Sequence, residues 1–142
     1  VSGEQCSVEQ RWHNGTLDNK HGGIVLLNDR LYGYAESQSK TKPWTCIDFK
    51  SGDTIFQENS VESSYKYKSG CLTCADGMFY LYSDDGKMAL VQPTDTGLRV
   101  RGRLRIKDPG ERPTWAFPVV FGGRLYIRYG NKLAAYQVAQ SG

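Results

Sequence analysis

The sequence repeats itself about every 47 residues, and this periodicity constrains the fold more than any other feature. Three segments share the same order of residues: a two-residue turn, an apolar residue and then a tyrosine. The tyrosines are Tyr32, Tyr80 and Tyr126, which lie 48 and then 46 residues apart. A two-residue turn between two apolar runs is typical of a β-hairpin, so each segment is predicted to form one. The predicted hairpin turns are Asn28-Asp29, Asp76-Gly77 and Gly122-Gly123.

Each hairpin is followed by sequence for further short strands. The first unit shows this most clearly, because residues 44–49 and 54–57 form strand-like runs on either side of a turn at 50–53. Four short strands in a unit of roughly 40 to 50 residues are the pattern of a β-propeller blade, and no stretch carries apolar residues at sustained helical spacing. The predicted fold is therefore all-β, with about three four-stranded antiparallel blades; a single sandwich with similar hairpins is the alternative. The blades are predicted at about residues 21–60, 69–107 and 115–142.

The two ends of the chain complicate this pattern. Residues 6–12 resemble the outermost strand of a blade, whereas the third unit lacks sequence for its fourth strand. The first strand is therefore expected to complete the last blade, since ring closure in propellers removes an exposed edge. Three blades are fewer than the about four to eight of known rings. Further blades of the same protein, or a second copy joined head to tail, are expected to complete the ring.

A run of alternating cations lies in the second unit. Residues 98–107, LRVRGRLRIK, carry a positive charge at every second position. The chain has a net charge of +3, and without these five cations it would hold 13 basic against 15 acidic residues, so the basicity is local. The fourth strand of a blade lies on the outer rim, where Val100, Leu104 and Ile106 would face inward and the cations would face water. The cations are Arg99, Arg101, Arg103, Arg105 and Lys107.

The basic strand also has a functional interpretation. An anionic lipid or an acidic protein surface could bind to it, with a steep dependence on salt. Nucleic acid is not expected as a partner, because the strand has no interleaved aromatic residues for base stacking.

Four cysteines, at positions 6, 46, 71 and 74, leave the disulfide state open. Cys71 and Cys74 form a Cys-x-x-Cys pair, but positions i and i+3 of a strand point to opposite faces. A redox pair opens a helix and a zinc site needs a second ligand pair, and the sequence shows neither. These two cysteines and Cys46 are therefore expected to be buried apolar side chains, with no metal site. No window of the sequence is long and apolar enough for a membrane span.

One stretch of the first unit follows a known blade motif. Cys46-Ile47-Asp48, then Ser51-Gly52 and Phe56, match a small residue, any residue and Asp, then a Thr/Ser-Gly turn and a strand that ends in Trp. On this motif, residues 20–142 resemble the quinoprotein-like β-propellers, which include pyrroloquinoline quinone dehydrogenases and a bacterial outer-membrane assembly lipoprotein. Phe56 stands where the family has Trp, and Trp12 stands at the position of a docking Trp. The resemblance implies a bacterial protein of the periplasm or cell envelope, or a secreted one.

The candidate site is the mouth of the propeller's central channel. The repeat places His21, Ser69 and Trp115 there, at equivalent points before the innermost strands. The loops between second and third strands add Trp44 and the turn at 84–86, and Arg128 in the third hairpin is a further candidate. Aromatic side chains with a few polar groups suit the recognition of a ligand or a protein. Packing within the loops is the alternative role for Trp44 and Trp115.

The expected function is a non-catalytic module that binds a protein or another envelope ligand. The alternative is part of a quinone-dependent alcohol or polyol dehydrogenase. Family dehydrogenases hold the quinone between a Trp and a vicinal Cys-Cys disulfide, and they add calcium and an Asp base, whereas this sequence has no vicinal cysteines. No Ser/His/Asp order with elbow glycines occurs either. No catalytic residue is therefore predicted, and pyrroloquinoline quinone and calcium are cofactors only under the alternative.

Overall fold

A computed structural model of the chain describes residues 3, 7–36, 43–58, 70–83, 85–106 and 115–138. These described residues form eleven β-strands and no helix, which confirms the predicted all-β class. The strands form three separate antiparallel sheets, in which each strand pairs with its neighbours in sequence. This up-and-down order is what consecutive hairpins produce, and it gives one sheet to each unit of the repeat.

The three sheets are the blades. Blade 1 consists of β1 (Ile24–Leu27), β2 (Arg30–Tyr34), β3 (Trp44–Asp48) and β4 (Thr54–Glu58). Blade 2 consists of β5 (Gly70–Ala75), β6 (Met78–Ser83), β7 (Lys87–Pro93) and β8 (Leu98–Arg105). Blade 3 has three strands among the described residues, β9 (Val119–Phe121), β10 (Arg124–Tyr129) and β11 (Lys132–Gln137). The strand expected to complete this blade is the N-terminal one, and residues 139–142, which follow β11, lie outside the described part.

The predicted hairpin turns are confirmed. Asn28 and Asp29 have φ angles of 51° and 57°, and Asp76-Gly77 and Gly122-Gly123 also have positive φ at both positions. Two such residues in succession form the type I′ turn, whose twist matches that of the flanking strands, and Asn, Asp and Gly tolerate it best. The repeated tyrosines are equivalent as well, because Tyr32, Tyr80 and Tyr126 all lie in the second strand of their blades, each opposite a first-strand residue.

The blades pack face to face. We call the face that carries the repeated tyrosine the leading face of a blade, and the opposite face its trailing face. Tyr32 on the leading face of blade 1 packs with Phe79 and Val91 on the trailing face of blade 2. Tyr82 and Met88 on the leading face of blade 2 pack with Leu125 and Ile127 on the trailing face of blade 3. Burial of these two interfaces supplies the main apolar stabilisation of the fold.

The basic strand differs from its prediction as a single stripe. A register shift between Leu90 and Val91 leaves Arg101 opposite no residue of β7, which is a β-bulge. The bulge reverses the alternation, so Val100 packs in the interface with blade 1 and Leu104 packs in the interface with blade 3. Arg99 and Arg103 consequently belong to opposite faces, although all four arginines of β8 are exposed. Lys107 lies outside the described residues.

The N-terminal segment also differs from its prediction. Residues 7–14, the described part of the predicted first strand and the residues after it, contain no strand. Trp12 contacts blade 1: its indole N–H donates to the carbonyl of Phe49 at 3.0 Å, and its ring lies over Gly52. Gly52 has a φ of 79°, and a side chain there would collide with the indole. The tryptophan therefore docks on blade 1.

Cys46 and Cys71 are buried as predicted, whereas Cys74 is only partly buried. Cys71 belongs to the interface between blades 2 and 3, and Cys74 packs at the interface between blades 1 and 2, so the pair points to opposite faces of β5. Cys46 is fully buried. All three described cysteines are free thiols, and Cys6 lies outside the described residues.

Candidate functional site

Two segments that lead into innermost strands meet at one end of the blades. Residues 20–23 enter β1, residues 115–118 enter β9, and β5 lies between those two strands. The imidazole of His21 stacks on the indole of Trp115, with ring centroids 4.7 Å apart and an angle of 8° between the planes. The predicted neighbourhood of His21 and Trp115 is therefore present in the structure. We call these two side chains, together with Phe117, the rim site.

Glycines allow the segment of residues 20–23 to lie close to β5 and to Phe117. A side chain at Gly22 would collide with the carbonyl of Gly70, and one at Gly23 would collide with the Phe117 ring. Gly23 also has a φ of 68°, which disfavours other residues. Its N–H donates to the Asn19 side-chain oxygen at 3.0 Å, and the Asn19 amide donates to the carbonyl of Tyr34 at 3.1 Å. The backbone beneath His21 is thus fixed to blade 1.

The other segment is fixed to blade 2 by side chains of β5. The Thr73 hydroxyl donates to the carbonyl of Pro118 at 2.6 Å, and the Cys71 thiol donates to the carbonyl of Ala116 at 3.5 Å. These contacts hold the backbone of residues 116 and 118 against blade 2, whereas Trp115 and Phe117 remain exposed, Trp115 by 55%. Exposed aromatic rings on a held backbone form a rigid surface, and such rings dominate the binding energy of many protein interfaces.

Trp44 does not belong to the rim site. It is only 3% exposed, and its ring lies 4.9 Å from that of Tyr34 and against Gly70. Because it fills the interface between blades 1 and 2, its structural role is core packing, the alternative that the sequence left open. Ser69, the third equivalent position, lies outside the described residues. Arg128 is exposed on the leading face of blade 3, beside Leu133, rather than stacked with the rim aromatics.

The turn between β6 and β7 holds an ion pair. The Lys87 ammonium lies 2.7 Å from the Asp85 carboxylate, and both side chains are mostly buried. Burial acts to raise the pKa of Asp85, but Lys87 and the Ser83 hydroxyl outweigh it and hold that pKa below its usual range. The pair fixes this turn of blade 2. Asp84 of the same predicted turn lies outside the described residues.

Sequence reasoning missed Phe117 and Thr73. Phe117 alternates with Ala116 and Pro118, so period-two alternation within WAFP was the available signal for its exposure. The sequence gives no indication of the role of Thr73, because its hydroxyl donates a hydrogen bond to a backbone carbonyl that precedes a different blade.

A cavity lies at the ends of the strands opposite the rim site. The Arg30 guanidinium pairs with Asp95 at 2.9 Å and donates to the carbonyl of Thr94 at 3.3 Å, so it joins blade 1 to the β7–β8 turn. The cavity beside it has a volume of about 390 Å³ and also includes Tyr32, whose pKa burial raises to about 12. This contact crosses between two blades and serves to orient them.

The described residues do not fit a quinone site of the dehydrogenase kind. The three described cysteines lie in different places and none is vicinal to another. Within the described part of the chain, no three or more His, Cys, Asp or Glu side chains group together as a metal site. The described residues likewise include no helix with the length and apolar character that a membrane crossing requires.

Blades stacked face to face with converging innermost strands define the class of this chain: it consists of β-propeller blades. No protein-family model matches the sequence, and no curated protein matches it. By structure, 24 solved chains match. One is the crystal structure of BamB from Moraxella catarrhalis, with a TM-score of 0.50 and 11% sequence identity. The similarity covers 80% of this chain and 41% of the BamB chain, and at this identity it concerns the fold alone.

Proposed function

We propose that these blades belong to a quinoprotein-like β-propeller that acts as a non-catalytic scaffold and binds a protein partner at the rim site. The observation that carries the proposal is the exposed aromatic group of Trp115 and Phe117, placed over the innermost strands and backed by His21. Trp anchors on preorganised backbone are typical of interface hot spots.

The chemistry of the rim site favours a protein over a small molecule. Its rings project outward, whereas small-molecule sites bury most of the ligand in a cavity. A partner with an apolar side chain or an extended backbone could cover the free side of Trp115.

The proposed location is the bacterial cell envelope. The support for it is the similarity of the fold to BamB together with the blade motif at Cys46-Ile47-Asp48 and Ser51-Gly52. Fractionation of the source organism, with an antibody to this chain, tests the location directly. Recovery with the cytoplasmic marker proteins would contradict it.

Site-specific photo-cross-linking tests the rim site. A benzophenone amino acid at exposed position 20, beside His21, leaves the rim aromatics intact and is expected to capture a defined protein from an envelope extract, whereas the same group at exposed position 99 on β8 captures a different set or none. Substitution Phe117→Ala is expected to abolish capture from position 20. Phe121→Ala is the matched control, because Phe121 is also an exposed phenylalanine but lies on β9, beyond the rim. Identical captured proteins at positions 20 and 99 would show that the rim has no selectivity.

The enzymatic alternative is tested separately. Addition of pyrroloquinoline quinone and calcium is expected to leave the quinone spectrum unchanged and to produce no dye reduction with alcohols. Dye reduction that requires both additives would replace the scaffold proposal by a dehydrogenase.

A further inference from the structure

The outermost strand of blade 2 carries a concentration of positive charge. All the arginines of β8 are exposed. These arginines and the single lysine of β7 are accompanied by no acidic residue in either strand. The acidic residue in the turn between the two strands, Asp95, is paired with Arg30 of blade 1 at 2.9 Å. The positive charge on this part of the rim is therefore not neutralised within its own hairpin.

Protection of the sheet edge does not account for these arginines. Charged side chains on an outer strand do prevent pairing with other strands. However, β4 is the equivalent outer strand of blade 1, and its sequence TIFQE contains no cation. A strand at the same place in the fold thus forms without a basic side chain, so the arginines of β8 are not a requirement of the blade.

The β-bulge places arginines on both sides of the strand. Arg99 lies opposite Gln92, and the Arg101 guanidinium donates to the Gln92 side-chain oxygen at 3.0 Å, so these two arginines belong to the leading face. Arg103 and Arg105 belong to the trailing face. A surface that approached either face would meet two of the arginines, whereas one that approaches the edge of the sheet meets all of them.

The outer edge of blade 2 faces outward whatever completes the propeller. Blade 1 covers the trailing face of blade 2 and blade 3 covers its leading face, and both neighbours are part of the described structure. Further blades would be added beyond blades 1 and 3. The edge of β8 would therefore remain on the outer rim in a ring of any size.

The chemistry of β8 fits an extended anionic surface. From Arg99 to Arg105 the array is about 20 Å long, which exceeds the reach of a small anion. In β7 and β8, which the structure describes in full, no large apolar side chain is exposed, so the anchors typical of protein interfaces are missing. The bulge also interrupts the edge on which an added strand would pair.

An anionic lipid bilayer requires neither an apolar anchor nor a regular strand edge. Guanidinium groups bind phosphate oxygens through two parallel hydrogen bonds, and basic segments are attracted to anionic headgroups by charge alone. A bilayer is also flat over the whole length of the array. The exposed arginines on the two sides of β8 can therefore contact headgroups at the same time.

We propose that the outer edge of blade 2 is an electrostatic docking surface for a bilayer that contains anionic phospholipid. The blade meets the bilayer edge-on, and arginines from both faces bind headgroup phosphates on either side of β8. This contact is independent of the rim site, because His21 and Trp115 precede innermost strands whereas β8 is an outermost one.

Sedimentation with lipid vesicles is the first test. The chain is expected to sediment with vesicles of equal parts phosphatidylglycerol and phosphatidylcholine at low salt and to be released at about 0.5 M salt, where the Debye length is about 4 Å. Vesicles of phosphatidylcholine alone are expected to leave the chain in solution. Equal binding to both kinds of vesicle would show that apolar surface drives the contact, and binding to neither would rule the proposal out.

Two single substitutions test the edge-on geometry. Arg99→Gln and Arg105→Gln remove a charge from opposite faces, and neither arginine forms an ion pair with another described residue. Each substitution is expected to weaken vesicle binding by roughly fivefold. Arg11→Gln removes the same charge from an exposed arginine elsewhere, and as the control it is expected to leave binding unchanged. An effect at only one of the two β8 positions would contradict the edge-on contact.

A pair of double variants separates charge from folding. Arg99→Lys with Arg105→Lys retains both charges and is expected to bind vesicles nearly as well as the parent, whereas the corresponding double glutamine variant loses roughly 25-fold. Both side chains are exposed, so the circular dichroism of all these variants is expected to match that of the parent. If the lysine pair binds as weakly as the glutamine pair, charge does not determine the contact.

Immobilised poly-L-glutamate distinguishes a lipid from an acidic protein as the partner. The chain is expected to elute from it at a lower salt concentration than the one that releases it from the vesicles. Retention on poly-L-glutamate at the salt concentration that abolishes vesicle binding would assign β8 to an acidic protein, and the bilayer proposal would be wrong.

Discussion

The imidazole of His21 lies parallel to the indole of Trp115 at a centroid distance of 4.7 Å, although one residue precedes the first blade and the other precedes the third. This contact joins blades 1 and 3 across β5 without burying the indole. Trp44, by contrast, is enclosed between blades 1 and 2. The two tryptophans therefore differ in burial, and substitutions of each should have different consequences for stability.

Trp44→Ala is expected to destabilise the protein by about 3–5 kcal/mol, because it leaves a large cavity at the interface of two blades. Trp115→Ala is expected to cost only about 1 kcal/mol, since the indole is mainly exposed and loses little more than the His21 stack. Urea unfolding followed by circular dichroism gives both free energies. His21→Ala should match Trp115→Ala if the stack accounts for the cost. A loss of more than about 3 kcal/mol for Trp115→Ala would assign that residue to the core instead.

Thr73→Val is expected to loosen the segment that carries the rim aromatics. The valine has nearly the same shape but cannot donate to the carbonyl of Pro118, so the loss is about 1–2 kcal/mol. Hydrogen exchange measured by mass spectrometry should show faster exchange in residues 115–121 and little change in blade 1. Thr73→Ser retains the hydroxyl and is the control for its hydrogen bond. Equal exchange in the Val and Ser variants would show that the hydroxyl does not hold this segment.

The sequence was sufficient to predict the hairpins, because type I′ turns require φ angles that few residues adopt. Asn28-Asp29 and Gly122-Gly123 fall where those angles occur. It was also sufficient to align the tyrosines of the three second strands. These features depend on local geometry and on a period of two, both of which are visible along a single strand.

Features that depend on contacts between blades could not be predicted in the same way. Both tryptophans lie where a strand is about to begin or has just begun, and the contacts of Trp44 with Gly70 and Tyr34 show that it is enclosed. The bulge at Arg101 divides a strand whose alternating sequence indicates a single charged face. Trp12 was recognised as a docking residue by resemblance, but the blade to which it docks follows from its contact with Gly52.

Glu58→Gln is expected to stabilise the protein at neutral pH. Burial raises the pKa of Glu58, and the hydrogen bond from the Leu98 N–H only partly opposes this. The folded state therefore binds the proton more tightly than the unfolded state, so stability decreases as pH rises through the interval between the unfolded pKa and the folded one. Glutamine is uncharged, so it avoids the free-energy cost of burying a carboxylate, and its side-chain oxygen can still accept the hydrogen bond from the Leu98 N–H. Urea midpoints of the variant and the parent should converge below about pH 4.

Asp48→Asn is expected to have the opposite effect. The N–H groups of Ser51 and Lys50 donate to the Asp48 carboxylate at 2.8 and 2.9 Å and lower its pKa. Because the folded pKa is lowered, the ionised carboxylate stabilises the protein at pH values above the unfolded pKa of about 3.9. This stabilisation is lost as the pH falls through the folded pKa. The asparagine variant should therefore be the less stable protein at neutral pH and should approach the parent in acid. If Glu58→Gln and Asp48→Asn shift the urea midpoint in the same direction at neutral pH, the direction of the pKa shift given for one of the two carboxylates is wrong.

Thiol reactivity tests whether the cysteines are structural. Burial raises the pKa of Cys71 to about 12, and it also raises the pKa values of Cys46 and Cys74. The thiolate is the reactive form, so in a Cys6→Ser background the folded protein should react very slowly with Ellman's reagent at about pH 8. All three remaining thiols should react once urea unfolds the chain, with Cys74 first under partial unfolding because it is the least buried of the three. Rapid reaction of a thiol in the folded protein would show that one blade interface opens readily.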